Sequence, residues 1–194
     1  QTLLIGGLLA IVAGVGGYRA YTYFEMKKAA EAGAKYEAAL VLSNDNKTAE
    51  ARAALEALVK DAPAGYQVLA KFRLAAETAK TDPKAAAQAF EALANDAAVE
   101  ADLKAFAKVR AAALLVDTAG YDDIRGRLDS EISAGRPWRL MARETLGVAA
   151  YKAGKIDEAD KHFEAILGDP EATQVTRQRA EMMMALGRSG VAPK

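Results

Sequence analysis

The chain opens on a long apolar run and continues as an amphipathic remainder. From Thr2 to Tyr18 the sequence TLLIGGLLAIVAGVGGY carries no charge, and after Arg19 it continues AYTYF to Phe24. About 20 such residues rise about 30 Å as a helix, which matches the hydrocarbon core of a bilayer. Tyr18, Tyr21, Tyr23 and Phe24 cluster at one end, with Lys27 and Lys28 behind them. That is the order in which a span meets the headgroups, and Arg19 is close enough to the boundary to snorkel outward. The pattern predicts a transmembrane helix with an aromatic exit over residues 1–25. A cleaved leader fits less well: the run shows no basic n-region, and Tyr18-Arg19-Ala20-Tyr21 is a poor cleavage site. Gly6, Ala10 and Gly14 recur every four residues on one face, and Ala13 and Gly17 form a second such pair. Small residues at this spacing allow another helix to pack closely in the membrane.

From about Ala29 onward the apolar positions recur at helical spacing, and they also recur as a longer unit. The clearest unit starts near Leu140, with Leu146-Gly147, Ala150-Tyr151, Gly154, Ala159, Phe163 and Pro170 in order. Gly147 and Ala159 are small where two antiparallel helices would cross closely, and Phe163 fills the space beside them. Gly154 lets the chain leave the first helix with positive φ, Asp157 and Glu158 suit the first turn of the second, and Pro170 is the expected stop. This spacing resembles the tetratricopeptide repeat pattern, with Arg143 where that pattern has Trp. Ala51, Leu55, Leu58 and Pro63 occupy the second-helix positions of an earlier unit, and Ala86, Phe90 and Leu93 repeat its first three 35 residues later. The matching first helices are expected at residues 32–42 and 66–78, with Asn44-Asp45-Asn46 and Thr81-Asp82-Pro83 supplying turn and N-cap chemistry. A degenerate third unit runs 103–117, turns at Gly120 and continues 122–133, with Ile124 or Arg125 where a small residue belongs. Gly135-Arg136-Pro137 breaks the chain before the strongest unit. A last helix over residues 173–186, C-capped by Gly187, covers the final pair. The predicted fold is all-α: a transmembrane helix, then a repeat domain over residues 26–189 of about four helix pairs plus a capping helix, then a frayed tail at 190–194.

Composition narrows the chemistry. Of 194 residues 46 are Ala, the best helix former. Lys+Arg and Asp+Glu balance at 26 each, which argues against nucleic acid as a partner. With no Cys and a single His, thiolate metal sites, cysteine nucleophiles and two-imidazole sites are excluded. No nucleophile elbow or phosphate-binding loop is present, so no catalytic, cofactor-binding or metal-binding residue is assigned and an enzyme is not expected. His162 reads as a lone surface histidine. Asp122, Asp123, Asp129 and Glu131 read as a solvated helix face, and Met182-Met183-Met184 as packing residues.

What remains is surface. In this register the first helices present Tyr36, Leu40, Lys71, Ala75, Arg110, Leu114, Glu144, Val148, Tyr151 and Lys152 on a concave face, a mixture suited to extended peptide or protein partners. Tyr36, Lys71, Arg110, Glu144, Tyr151 and Lys152 are the candidate groove contacts. A single N-terminal span, an aromatic exit and a short Ala-rich array together resemble a family of single-pass bacterial inner-membrane tetratricopeptide repeat proteins of the YfgM type. The segments Ala142-Arg143-Glu144-Thr145-Leu146-Gly147 and Arg177-Gln178-Arg179-Ala180-Glu181-Met182 are similar to its alphaproteobacterial branch. The resemblance implies an N-in, C-out chain with a periplasmic array that assists the Sec translocon and periplasmic chaperones and has no enzymatic activity. Two functions stand beside each other: a membrane-anchored scaffold, and a non-catalytic accessory subunit of a large inner-membrane complex, respiratory or otherwise, held to other subunits through its span.

Overall fold

The computed structural model describes residues 2–189, with side chains from residue 14 onward. Gly6, Ala10 and Ala13 therefore lie outside the residues whose side chains are described, and the tail at 190–194 lies outside the described residues altogether. Among the described residues the fold is all-α. The helices are α1 (Thr2–Asn44), α2 (Thr48–Asp61), α3 (Ala64–Thr78), α4 (Pro83–Asn95), α5 (Ala101–Leu115), α6 (Tyr121–Leu128), α7 (Arg139–Lys152), α8 (Ile156–Leu167) and α9 (Gln174–Arg188), with a short 3₁₀ turn at Asp129–Glu131. Also among the described residues, no helix is long and apolar enough to cross a membrane. Most of the apolar run falls in residues 2–13.

The chain divides into two compact units, one ending at Glu77 and one starting at Thr78. In the first, α1 is a single helix of 43 residues. The boundary expected at residue 25 is no break in the backbone, because Met26–Ala34 holds only good helix formers and one Gly. The predicted helix 32–42 is the last part of α1. There Ala32 and Ala39 pack with Leu55 and Leu58 of α2 and Ala70 of α3. The chain reverses at Asn46, which takes φ 59°. The expected N-cap chemistry is absent at this turn: the cap of α2 is Lys47, whose side chain makes no capping bond. Glu77 of α3 is fully buried and its carboxylate accepts from the Ser43 hydroxyl of α1.

In the second unit, α4 packs on α5, with Ala86, Phe90 and Leu93 buried as the repeat predicts. The unit boundary thus falls inside what the sequence spacing treats as one helix pair, between α3 and α4. Asp82 caps α4, accepting from Ala85 N at 2.9 Å. The degenerate repeat is shorter than its pattern. The helix expected to reach residue 133 ends at Leu128, and the segment that follows folds around Glu131. Glu131 was expected on a solvated face; it is 0% exposed and accepts from Lys108 and from Arg136 at 2.7 Å. Trp138 ties the start of α7 to α5 by donating to Asp102 O at 2.8 Å and stacking beside Phe106.

The strongest repeat is formed as its spacing predicts. A Cβ on Gly147 would come within 2.6 Å of the Phe163 ring, so the close crossing of α7 and α8 requires glycine. Gly154 turns the chain with φ +71°. The end of α8 differs from expectation: it closes at Leu167 with Gly168 as cap, ahead of Pro170. Between Gly168 and Pro170 lies Asp169, a buried carboxylate that receives Arg139 through two bonds at 2.7 and 2.8 Å, and Arg143 at 3.2 Å. Arg143, in the place of the pattern's Trp, also reaches Ala165 O and Ile132 O. α9 packs on α8, capped by the Thr173 hydroxyl on Thr176 N. Gly187 is no C-cap; it lies inside α9, close to Ile156, and the helix ends at Ser189.

Candidate interaction site

Among the described residues a groove is found in each unit. In the first, α1 and α2 enclose a cavity of about 600 Å³ with an alanine-rich floor (Ala32, Ala54, Ala57) and a rim that includes Glu25, Lys28, Glu31, Lys35 and Asp61. Both signs of charge alternate along the rim. In the second, α5 and α7 flank a cavity of about 300 Å³ lined by Ala113, Val116, Asp117, Met141, Glu144, Thr145 and Val148. It lies between two first helices of the repeat pattern, where the sequence places its concave face.

The candidate contacts distribute unevenly over these surfaces. Glu144 and Val148 line the second groove. Lys152 sits beside it, in an ion pair with Asp117, and Arg179 of α9 holds Glu144 at 2.8 Å. Arg110 lies earlier on α5 and stacks over the Phe90 ring of α4, 5.8 Å from its centroid. Tyr151 is 6% exposed and belongs to the hydrophobic core with Leu146 and Phe163; it is corrected from groove contact to core residue. Ala75 is likewise buried. In the first unit Tyr36 is half-buried, with its ring 6.4 Å from that of Tyr66, and Lys71 is half-exposed on α3. Neither lines the α1–α2 cavity. The sequence reading missed Ala113, Val116, Asp117, Met141 and Thr145. It selected Arg110 and Leu114 of α5, whereas the groove uses Ala113 of α5 and Val116 and Asp117 just beyond its end. Ala113 and Asp117 share the face of Arg110 at intervals of three and four, and Leu114 is turned about 100° from Ala113.

His162 is the other residue whose setting differs from its sequence reading. It is half-buried, and its Nε2 lies 3.3 Å from the Tyr121 hydroxyl. Burial pushes the imidazole below its ordinary pKa, with Arg125 and Arg143 acting the same way and Glu158 against them. Burial also raises the Tyr121 hydroxyl. Neither residue adjoins a nucleophile or a cavity described above. Among the described residues no group of three or more His, Cys, Asp or Glu could hold a metal ion.

The sequence pattern of the tetratricopeptide repeat-like domain family fits residues 1–185. No curated protein and no solved structure matches the chain.

Proposed function

The chain belongs to the tetratricopeptide repeat-like domain family, and from that premise we propose a membrane-anchored scaffold for protein–protein contacts. Residues 1–25 anchor it in a bacterial inner membrane and the repeats face the periplasm, as in proteins of the YfgM type, where partners would be translocating or folding envelope proteins. The observation that carries this reading is the continuity of α1. An uncharged apolar run feeds, without a break, into the part of α1 that packs against α2 and α3. On α1, ahead of the residues that pack against α2, Tyr18, Tyr21, Tyr23, Phe24 and Met26 are all exposed. Leaving such side chains in water forgoes about 25 cal/mol per Å² of apolar surface, and an interfacial aromatic belt recovers it. The family match begins at residue 1, so the apolar run belongs to the matched pattern.

A second reading rests on Gly6, Ala10 and Gly14, spaced by four along one face of the run, where an added Cβ on Gly14 would meet nothing within 4 Å. An open small-residue face can seat a neighbouring helix, as an accessory subunit of a larger membrane complex would require. Two measurements test the readings. The full chain should stay with membranes through an alkaline carbonate wash, and a chain lacking residues 1–24 should leave them with the helicity of its repeats intact. Release of the full chain by carbonate overturns the anchor. Native capture through a C-terminal tag then separates the roles: one complex at fixed stoichiometry marks a subunit, and translocon components and chaperones at low, variable ratios mark a scaffold.

A further inference from the structure

We propose that the face of α1 bearing Arg19, Tyr23 and Lys27 binds the anionic headgroups of the membrane that holds the chain. The proposal rests on the anchor reading and adds which lipids the anchor selects. Arg19, Tyr23 and Lys27 follow one another at intervals of four on an unbroken helix, so each is turned only about 40° from the last. All three are exposed. Among the described residues neither Arg19 nor Lys27 forms an ion pair, because the carboxylate that lies between them in sequence, Glu25, is taken by Lys28 at 3.5 Å. Glu31, the next residue on the stripe, lies a further turn away from the apolar run and makes no pair with Lys27. Two cations on this face are therefore left without protein counter-charge.

Their reach matches a headgroup layer. Arg19 and Lys27 are about 12 Å apart along the helix axis. Helical side chains lean toward the N-terminus, which brings the Lys27 ammonium back toward the apolar run. Arg19 directly follows that run, and its long stem lets the guanidinium snorkel outward. Both charges thus meet at the depth of the lipid phosphates. The other sides of the same stretch argue for lipid rather than a protein as the occupant. Tyr18, Tyr21 and Phe24 point away from the basic face, and with Tyr23 and Met26 they are 59–73% exposed. A partner chain covers one side of a helix, whereas lipid surrounds it, and tyrosines ring a span at this depth. Tyrosine hydroxyls meet a phosphate in any phospholipid. Thr22 adds no donor, since its hydroxyl is engaged within the helix by Tyr18 O and Arg19 O, both at 3.0 Å. Selection by net headgroup charge therefore falls to Arg19 and Lys27.

The test places the full chain in nanodiscs of equal phosphatidylglycerol and phosphatidylcholine. Gentle dissociation in a mass spectrometer then identifies the lipids that stay on the chain. A cation near an anionic surface is worth about fivefold in affinity, so phosphatidylglycerol should be retained over phosphatidylcholine by that factor. Arg19→Gln with Lys27→Gln should bring the ratio to one. Lys28→Gln, whose charge Glu25 already offsets, should leave most of the preference. Equal retention by the unaltered chain overturns the proposal and leaves Arg19 and Lys27 to an acidic segment of another protein. A preference that survives the double variant, or that Lys28→Gln alone abolishes, overturns it too. The anchor is judged apart from this, by the carbonate wash. A chain released by carbonate loses both readings, and one that stays with membranes but shows no headgroup preference loses only this one.

Discussion

At the scale of single residues, two positions show how little slack the α7–α8 crossing has. Gly147 faces the ring of Phe163, which is 1% exposed and held on its other sides by the core. Gly147→Ala therefore forces the ring or the helix to move, and overpacking of this kind costs about 1–3 kcal/mol. Thermal unfolding should show that loss, and Phe163→Leu in the same chain should recover part of it. His162 sets a pH dependence. Its folded pKa is depressed by burial, so the unfolded chain binds the proton more readily. Stability from this residue is full above about pH 6.5 and falls as pH drops below it. Denaturant midpoints measured from pH 7.5 down to 5.5 should decline, and His162→Phe should flatten that part of the profile. The sequence showed a lone histidine but nothing of this, because Tyr121 reaches His162 only once α6 and α8 are assembled.

At the scale of elements, the helices whose ends are written in local chemistry are the ones the sequence placed well. Asp82 and Pro83 start α4 as a cap and first-turn proline should, and Asp82→Ala should lower stability by about 1 kcal/mol, read as a shift in denaturant midpoint at constant slope. Thr173 starts α9 in the same way. The helices that differ from expectation are those followed by a carboxylate with distant partners. α6 stops at Leu128 because the next residues are committed to burying Glu131 against Lys108 of α5 and Arg136. α8 closes at Leu167, where Gly168 and Pro170 stop it, and Asp169 between them is drawn to Arg139 and Arg143 of α7. No local propensity announces either burial, since both acidic residues look like ordinary surface charges along the chain.

At the scale of the whole molecule, those same two carboxylates tie acid stability to the second unit. The Arg139 guanidinium holds Asp169 down to about 2, against the opposing effect of its burial. Burial alone would raise Glu131, but hydrogen bonds from Lys108 and Arg136 outweigh it and keep this carboxyl below its usual range. Both therefore contribute stability above the ordinary carboxylate range that is lost as each protonates at lower pH, Asp169 only near pH 2. Acid titration followed by circular dichroism should show the second unit losing stability over that window. Asp169→Asn should remove part of the dependence and lower the melting temperature at pH 7 more than Glu171→Gln, whose carboxylate is largely exposed. A smaller effect for Asp169→Asn than for Glu171→Gln would show that the buried pair contributes nothing net.

The sequence alone determined the helical class, the apolar N-terminal run, the buried faces of α2 and α4, and the Gly147–Ala159–Phe163 crossing. These rest on interactions spanning at most a helix and its hairpin partner, so period and turn chemistry encode them. The tertiary structure decided the rest. It made α1 one helix through the expected boundary at residue 25, divided the expected second pair between two units, and moved Tyr151 from the groove to the core. It also turned the α5 contacts by one residue and buried Glu131 and Asp169. Each depends on which face of a helix meets a third element, and on where a charge finds a partner 23 to 30 residues away. Periodicity fixes that a helix has an inner face; only packing fixes which neighbour that face meets.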